Sequence, residues 1–154
     1  MVEKLSSLDF DNDWPSYNPT VCADRPADYS SYTKLKIHWG SMDDYEVVHK
    51  IGRGKYSEVY EGFCQANKQK CVVKILKPVR TEKIYREVKI LQTLFGGPHI
   101  VKLYDVAYST EMKTPCLIYE YIQSVETKVL LRSLKSSDIK VYMRKLLEAI
   151  EYCH

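Results

Sequence analysis

The sequence contains 154 residues, of which 45% are hydrophobic and 28% charged, with a formal net charge of +3. A chain of this size can bury a single hydrophobic core, and its composition is typical of a globular protein. No apolar run reaches the roughly 18–20 residues of a membrane-spanning helix, and the acidic start lacks the basic and apolar stretches of a signal peptide. These features predict a soluble, intracellular protein.

The charge is unevenly distributed along the chain. Residues 1–33 contain two basic and six acidic residues, a net charge of −4, which leaves +7 for the remainder. That balance favours an anionic ligand but is too small to indicate nucleic acid. The cysteines are odd in number and form no C-x-x-C pair, so we expect reduced thiols and neither disulfides nor a metal site; they are Cys22, Cys64, Cys71, Cys116 and Cys153.

The first 35 residues show no helical or strand periodicity and include Pro15, Pro19 and Pro26. We expect an extended N-terminal arm over residues 1–35, and the aromatic side chains expected to dock it are Trp14, Tyr17, Tyr29 and Tyr32.

Three short β-prone runs and one amphipathic segment follow. Residues 45–51, 58–64 and 71–76 are separated by a glycine-containing turn and a polar turn, which predicts consecutive antiparallel hairpins. Residues 82–95 change to a helical period, with Thr81 as the predicted N-cap and Gly96–Pro98 as the end. The apolar stripe of this helix is Ile84, Val88, Leu91 and Phe95.

The sequence pattern in the last third of the chain predicts two further strands and two helices. The strands are expected at 100–107 and 116–122, and a short helix at 126–134. Ser137 and Asp138 are the predicted cap of a final helix that is still running, uncapped, at His154. Its apolar stripe comprises Ile139, Tyr142, Met143, Leu146, Leu147 and Ile150.

The turn between the first two strands, residues 52–57, is a candidate ligand-binding loop, called here the glycine-rich turn. Gly52 and Gly54 lack side chains, so their backbone can approach a ligand closely, and exposed N–H groups suit phosphate oxygens. A plain hairpin turn explains the two glycines equally well. The dinucleotide-binding fingerprint is excluded because a strand, not a helix, follows the glycines.

Lys74 and Glu87 are charged residues in apolar surroundings. Lys74 interrupts the strand Cys71–Leu76, where alternation places it beside Val72 on one face. Glu87 falls inside the apolar stripe of the predicted helix, and an unpaired buried charge is strongly destabilising. We therefore expect the two side chains to pair. The alternatives are a lysine that extends to solvent and a glutamate at the margin of the stripe.

A glycine-rich hairpin, a strand lysine and a helix glutamate in this order resemble the first half of the protein-kinase signature. The chain further resembles the casein kinase 2 alpha family of serine/threonine kinases. The residues that carry this resemblance are Asp24–Tyr29, Trp39-Gly40, Asp43–Tyr45, Gly52–Val59, Val72–Val79, Gly96–Pro98 and Tyr152–His154. They include Ser57 in place of the third glycine and a valine in place of the usual alanine before the lysine.

The resemblance implies an α+β fold. Residues 36–122 would form a kinase N-terminal lobe with a five-stranded antiparallel sheet and one main helix. Residues 123–154 would form the hinge exit and the first helices of an incomplete C-terminal lobe.

The resemblance also implies ATP with Mg²⁺ as cofactor, with Lys74 and Glu87 as catalytic residues. The implied nucleotide-binding residues are Ile51, Gly52, Arg53, Gly54, Lys55, Tyr56, Ser57, Glu58, Val59, Val72, Lys74, Tyr119, Glu120 and Ile122. Tyr119 stands where the family usually has phenylalanine, so its hydroxyl needs a partner if buried. Arg80-Thr81-Glu82-Lys83 replaces a run of lysines, which puts the family's preference for acidic substrates in doubt.

The family's His-Arg-Asp catalytic loop and both Mg²⁺ ligands do not occur within these 154 residues. We therefore expect a fragment that does not transfer phosphate by itself. The family resemblance implies a regulatory beta subunit on the outer sheet face, at Tyr60, Val73, Ile75, Ala107, Cys116 and Ile118, and a location in the cytoplasm or nucleus. Two alternatives stay open: a non-catalytic short product that binds this subunit, and an unrelated small α+β binding protein.

Overall fold

The computed structural model describes residues 31–33, 35–78 and 80–154. Most of the predicted arm, including Trp14, Tyr17 and Tyr29, lies outside the described residues. Tyr32 is described, and the guanidinium carbon of Arg86 lies 5.6 Å from the centre of its ring. No helix in the described part of the chain is both long and apolar enough to cross a membrane.

Six strands form one sheet in the order β1-β5-β6-β4-β3-β2. Their bounds are β1 Gly40–Ser41, β2 Tyr45–Arg53, β3 Ser57–Cys64, β4 Lys70–Leu76, β5 Leu103–Ser109 and β6 Thr114–Glu120. Every pairing among strands β2 to β6 is antiparallel, as predicted. The sheet is nevertheless mixed, because β1 pairs in parallel with β5. The predicted count of five strands is wrong because it omits β1, whose two residues are too few to show alternation.

The ends of the last two strands also differ from the prediction. Strand β5 begins at Leu103 rather than at residue 100, and β6 runs from Thr114 to Glu120 rather than from 116 to 122. Thr114 and Pro115 pair with Ser109 and Tyr108, so the hairpin closes earlier than the apolar pattern indicates. Glu120 is consequently the last strand residue before the chain leaves the sheet.

Helix α1 spans Thr81–Thr93 and packs on the sheet through Ile84 and Val88, which are buried. Thr81 is not the N-cap: Arg80 occupies that position, and no side chain caps the helix. Phe95 is exposed, contrary to the predicted stripe. The helix ends before it, and Gly96 adopts a φ of +82°, a conformation that glycine tolerates and other residues rarely adopt.

Two further helices follow, α2 over Thr127–Ser133 and α3 over Ser136–Cys153. The predicted Ser137 cap is wrong, because α3 begins one residue earlier, at Ser136. Asp138 does cap the helix, since its Oδ2 accepts a hydrogen bond of 2.9 Å from the Lys135 N–H. The apolar side chains predicted for α3 are all exposed in the structure.

Each face of the sheet carries its own buried cluster. The inner cluster, on the face covered by α1, comprises Leu76, Ile84, Val88, Leu103, Val106 and Leu117. The outer cluster, on the opposite face, comprises Cys71, Val73, Ala107, Cys116 and Ile118. Strand alternation produces this division, because successive side chains of β4 and β6 point to opposite faces.

Candidate functional site

The glycine-rich turn is a tight connection between β2 and β3. Gly52 pairs with Val59 across the hairpin, and the Gly54 N–H donates a 2.9 Å hydrogen bond to the Ser57 carbonyl oxygen. A Cβ atom on Gly54 would lie 3.1 Å from Ser57 Oγ, so the turn leaves little room for a side chain. The Lys77 N–H donates to the Tyr56 carbonyl oxygen at 2.9 Å, which joins the turn to the segment after β4.

Lys74 lies in the middle of β4, opposite Val59 of β3 and Leu117 of β6. Its Nζ atom forms an ion pair with Glu87 Oε1 on α1, the pairing that the sequence pattern predicts. The two side chains are partly shielded from water, with 25% and 35% of their surfaces exposed. The pair therefore connects the sheet to α1 at a position that a ligand can still reach.

Tyr119 completes a three-residue hydrogen-bonded group. Its hydroxyl donates to the same Glu87 oxygen at 3.2 Å. Burial raises the pKa of the Tyr119 phenol well above its usual value, and the negative charge of Glu87 raises this pKa further. The phenol therefore stays protonated and remains a hydrogen-bond donor at neutral pH.

A cavity of about 250 Å³ lies between the glycine-rich turn, β4 and the first turns of α1. Its lining residues are Lys55, Tyr56, Ser57, Lys74, Leu76, Lys83, Ile84 and Glu87. Three lysines and one glutamate give the cavity a positive balance, which suits a phosphorylated ligand. The volume falls below the roughly 300–1,000 Å³ of whole-ligand pockets, so the cavity can hold only part of a ligand of that size.

Several of the implied nucleotide-binding residues do not line this cavity. Val59 and Val72 are half-buried and flank Lys74 in the strand ladder. Ile51 and Ile122 are exposed. The Glu120 N–H already donates to the Lys102 carbonyl oxygen at 3.0 Å. A ligand beside Glu120 would therefore need hydrogen bonds from other backbone groups.

Two residues of the implied set turn their side chains away from the cavity. Glu58 accepts hydrogen bonds from Lys50 Nζ at 2.7 Å and from the Tyr60 hydroxyl at 2.8 Å. These two bonds, the one from Lys50 first, lower the pKa of the Glu58 carboxyl. Arg53 is exposed and lies 3.9 Å from the same carboxylate. Neither the Arg53 nor the Glu58 side chain lines the cavity.

Leu76, Lys83 and Ile84 line the cavity but were not among the residues predicted from the sequence. Lys83 Nζ lies 5.1 Å from the centre of the Tyr56 ring, and Lys55 Nζ lies 5.2 Å from it. Such distances are typical of cation–π contacts. Lys83 lies one helical turn before Glu87 on α1, but this spacing alone does not indicate which side chains face the cavity.

The outer cluster contains most of the residues implied to bind a regulatory subunit. Val73, Ala107, Cys116 and Ile118 are completely buried. Tyr60 and Ile75 pack against this cluster and are only partly buried. A partner on this face would therefore reach two of the six implied residues directly.

A strand-borne lysine paired with a helix glutamate, next to a glycine-rich hairpin, is the arrangement found in protein kinases. Residues 45–154 match the protein kinase domain family, and the chain belongs to it. The chain is 49% identical over 135 residues, 87% of its length, to casein kinase II subunit alpha' of Saccharomyces cerevisiae. It spans 40% of the length of that relative. These similarities confirm the predicted family and the N-terminal-lobe fold.

Proposed function

We propose that this chain forms the ATP-binding part of a serine/threonine protein kinase similar to casein kinase 2 alpha. The observation that carries the proposal is the Lys74–Glu87 ion pair at the wall of a positively charged cavity under the glycine-rich turn. The family implies ATP with Mg²⁺ as cofactor. In the complete protein, bound ATP supplies the γ-phosphoryl group that is transferred to a serine or threonine hydroxyl.

The residues of this chain bind and orient the nucleotide. The Lys74 ammonium has three N–H donors, so it can hold phosphate oxygens while it keeps its bond to Glu87. Glu87 fixes the direction in which the ammonium points. Residues 55–57 of the glycine-rich turn line the cavity, where the lysines attract an anion.

The pair can be tested by Lys74→Met in the full-length protein that contains these residues. We expect its affinity for Mg-ATP to fall about tenfold to a hundredfold, because charge-assisted hydrogen bonds contribute about 1.5–3 kcal/mol. Calorimetric titration measures the affinity, and phosphorylation of a serine peptide measures the activity.

The matched control for this test is Lys50→Met. Lys50 is also a strand lysine paired with a glutamate, Glu58, but it is not in the cavity lining. The control should bind Mg-ATP like the unmodified protein. Equal affinity for Lys74→Met and Lys50→Met would contradict the proposal.

A second part of the proposal concerns a partner and the location. The relative is named a subunit, and the family resemblance implies a regulatory beta subunit on the outer face, contacted first through Tyr60 and Ile75. It also implies a cytoplasmic or nuclear location.

A short, non-catalytic product that occupies this subunit is the competing hypothesis. Extension of the reading frame through a His-Arg-Asp motif would favour the enzyme, and a stop codon after His154 would favour the short product.

A further inference from the structure

The Tyr119 hydroxyl is a feature of the site that ATP binding by Lys74 and Glu87 does not itself require. We propose that Tyr119 is a positioning residue, which holds Glu87, and through it Lys74, in the orientation that nucleotide binding needs. This inference rests on the proposed function and adds a third residue to the pair.

The first argument is the attachment of α1 to the sheet. Only two of its side chains, Ile84 and Val88, are buried. The polar attachments at Glu87 come from two neighbouring strands, Lys74 of β4 and Tyr119 of β6. Without the Tyr119 hydroxyl, Glu87 is held by Lys74 alone, and the helix loses one of its two polar connections to the sheet at this point.

The second argument is that both donors use one carboxylate oxygen, Oε1 of Glu87. When an anion enters the cavity, the Lys74 ammonium directs some of its N–H groups towards that anion. The Tyr119 hydroxyl has a single proton and is aimed at Glu87. It therefore keeps the carboxylate in place while Lys74 is shared between Glu87 and the ligand.

The third argument is that Tyr119 is outside the lining of the positively charged cavity. Its ring packs against the inner cluster, and its hydroxyl reaches this cavity through its hydrogen bond to Glu87. The residue that the family usually has here, phenylalanine, keeps the packing and lacks the hydroxyl. The substitution Tyr119→Phe thus removes one hydrogen bond and preserves the aromatic ring.

The test compares Tyr119→Phe with Tyr45→Phe in the full-length protein. Tyr45 is a matched control, because its hydroxyl also donates to a carboxylate, Asp105 Oδ2, at 2.8 Å. It packs against the outer cluster, on the opposite face of the sheet. Both variants lose a partly buried phenol–carboxylate hydrogen bond, so both should lose comparable thermal stability.

The distinguishing measurement is kcat/KM for ATP together with KM for a peptide substrate. We expect Tyr119→Phe to lower kcat/KM for ATP about threefold to tenfold. This factor corresponds to part of the free energy of a hydrogen bond to a charged group. The KM for the peptide should not change. The control Tyr45→Phe should leave all of these constants unchanged, because Tyr45 touches none of the residues at the cavity.

A spectroscopic measurement makes the test independent of activity. With ring-labelled tyrosine, the Cζ resonance of Tyr119 should shift in Glu87→Gln, and that of Tyr45 should not. If the unmodified protein fails to bind ATP, the proposed function is wrong. If it binds ATP and Tyr119→Phe retains full kcat/KM for ATP, or if the Tyr119 resonance does not respond to Glu87→Gln, only the role of Tyr119 is wrong.

Discussion

The two faces of the sheet differ in the way that they accommodate polar groups. The outer cluster consists of five apolar or thiol side chains that are almost completely buried. On the inner face, the apolar cluster adjoins Lys74, Glu87 and Tyr119, which bond to one another. An apolar face contributes stability, whereas a face with polar groups that satisfy each other can also bind a charged ligand. Substitutions on the two faces should therefore have different consequences.

The largest effect is expected from Ile118→Ala in the outer cluster. Ile118 has 0% of its surface exposed, and removing a buried isoleucine side chain costs about 2–5 kcal/mol. Urea unfolding of the full-length protein measures this loss, and hydrogen exchange of the β6 amides monitors the unfolding. The control Ile90→Ala, at a position on α1 that is 50% exposed, should cost less than about 0.5 kcal/mol. Similar losses of stability for the two variants would mean that the outer cluster is not shielded from water.

A smaller effect on stability, with a clear effect on binding, is expected from Ile75→Asp. Ile75 is only partly buried beside the outer cluster, so a charge there can remain near water while it opposes an apolar partner. We expect loss of co-purification with the regulatory beta subunit. Ile75→Thr, which keeps the β-branched shape, should weaken the association without unfolding the sheet. Retained association in both variants would refute the proposed surface.

The smallest effect concerns the reactivity of Cys116. Burial raises the pKa of its thiol to about 11, and only the thiolate reacts with alkylating reagents. At pH 8.5 Cys116 should therefore be labelled much more slowly than Cys153, which is exposed. Mass spectrometry of the labelled peptides measures the two rates. The difference in labelling rate should disappear in urea, where both thiols are solvated. Equal rates in the folded protein would contradict the burial of Cys116 in the outer cluster.

The Lys74–Glu87 pair was predictable because each residue interrupts an apolar pattern and each charge explains the other. The need of Tyr119 for a hydrogen-bond partner was also predictable from its apolar strand. The identity of that partner was not, since it depends on how α1 is rotated against β6. The β-prone runs likewise gave the five longer strands, and the family resemblance gave their antiparallel arrangement, but β1 depends on a two-residue pairing with β5.

The contribution of Lys83 to the cavity was missed for a similar reason. In the sequence Lys83 belongs to a mixed run of charges, Arg80-Thr81-Glu82-Lys83, which is typical of a solvated helix start. Only the approach of the glycine-rich turn, with Tyr56 between Lys55 and Lys83, places this lysine at the cavity. Contacts between segments distant in the chain leave no periodic signal in either of them.

The loop after α1 connects this site to the last helix. The ring of Tyr152 on α3 occupies the space that a side chain at Gly97 would fill, and His99 Nε2 lies 2.8 Å from Glu148 Oε2 on the same helix. Glu87 stands six residues before the last residue of α1, a distance of about 9 Å along the helix axis. The contacts of Tyr152 and Glu148 therefore attach α3 to the chain beyond the C-terminal end of α1, the end from which that distance is counted.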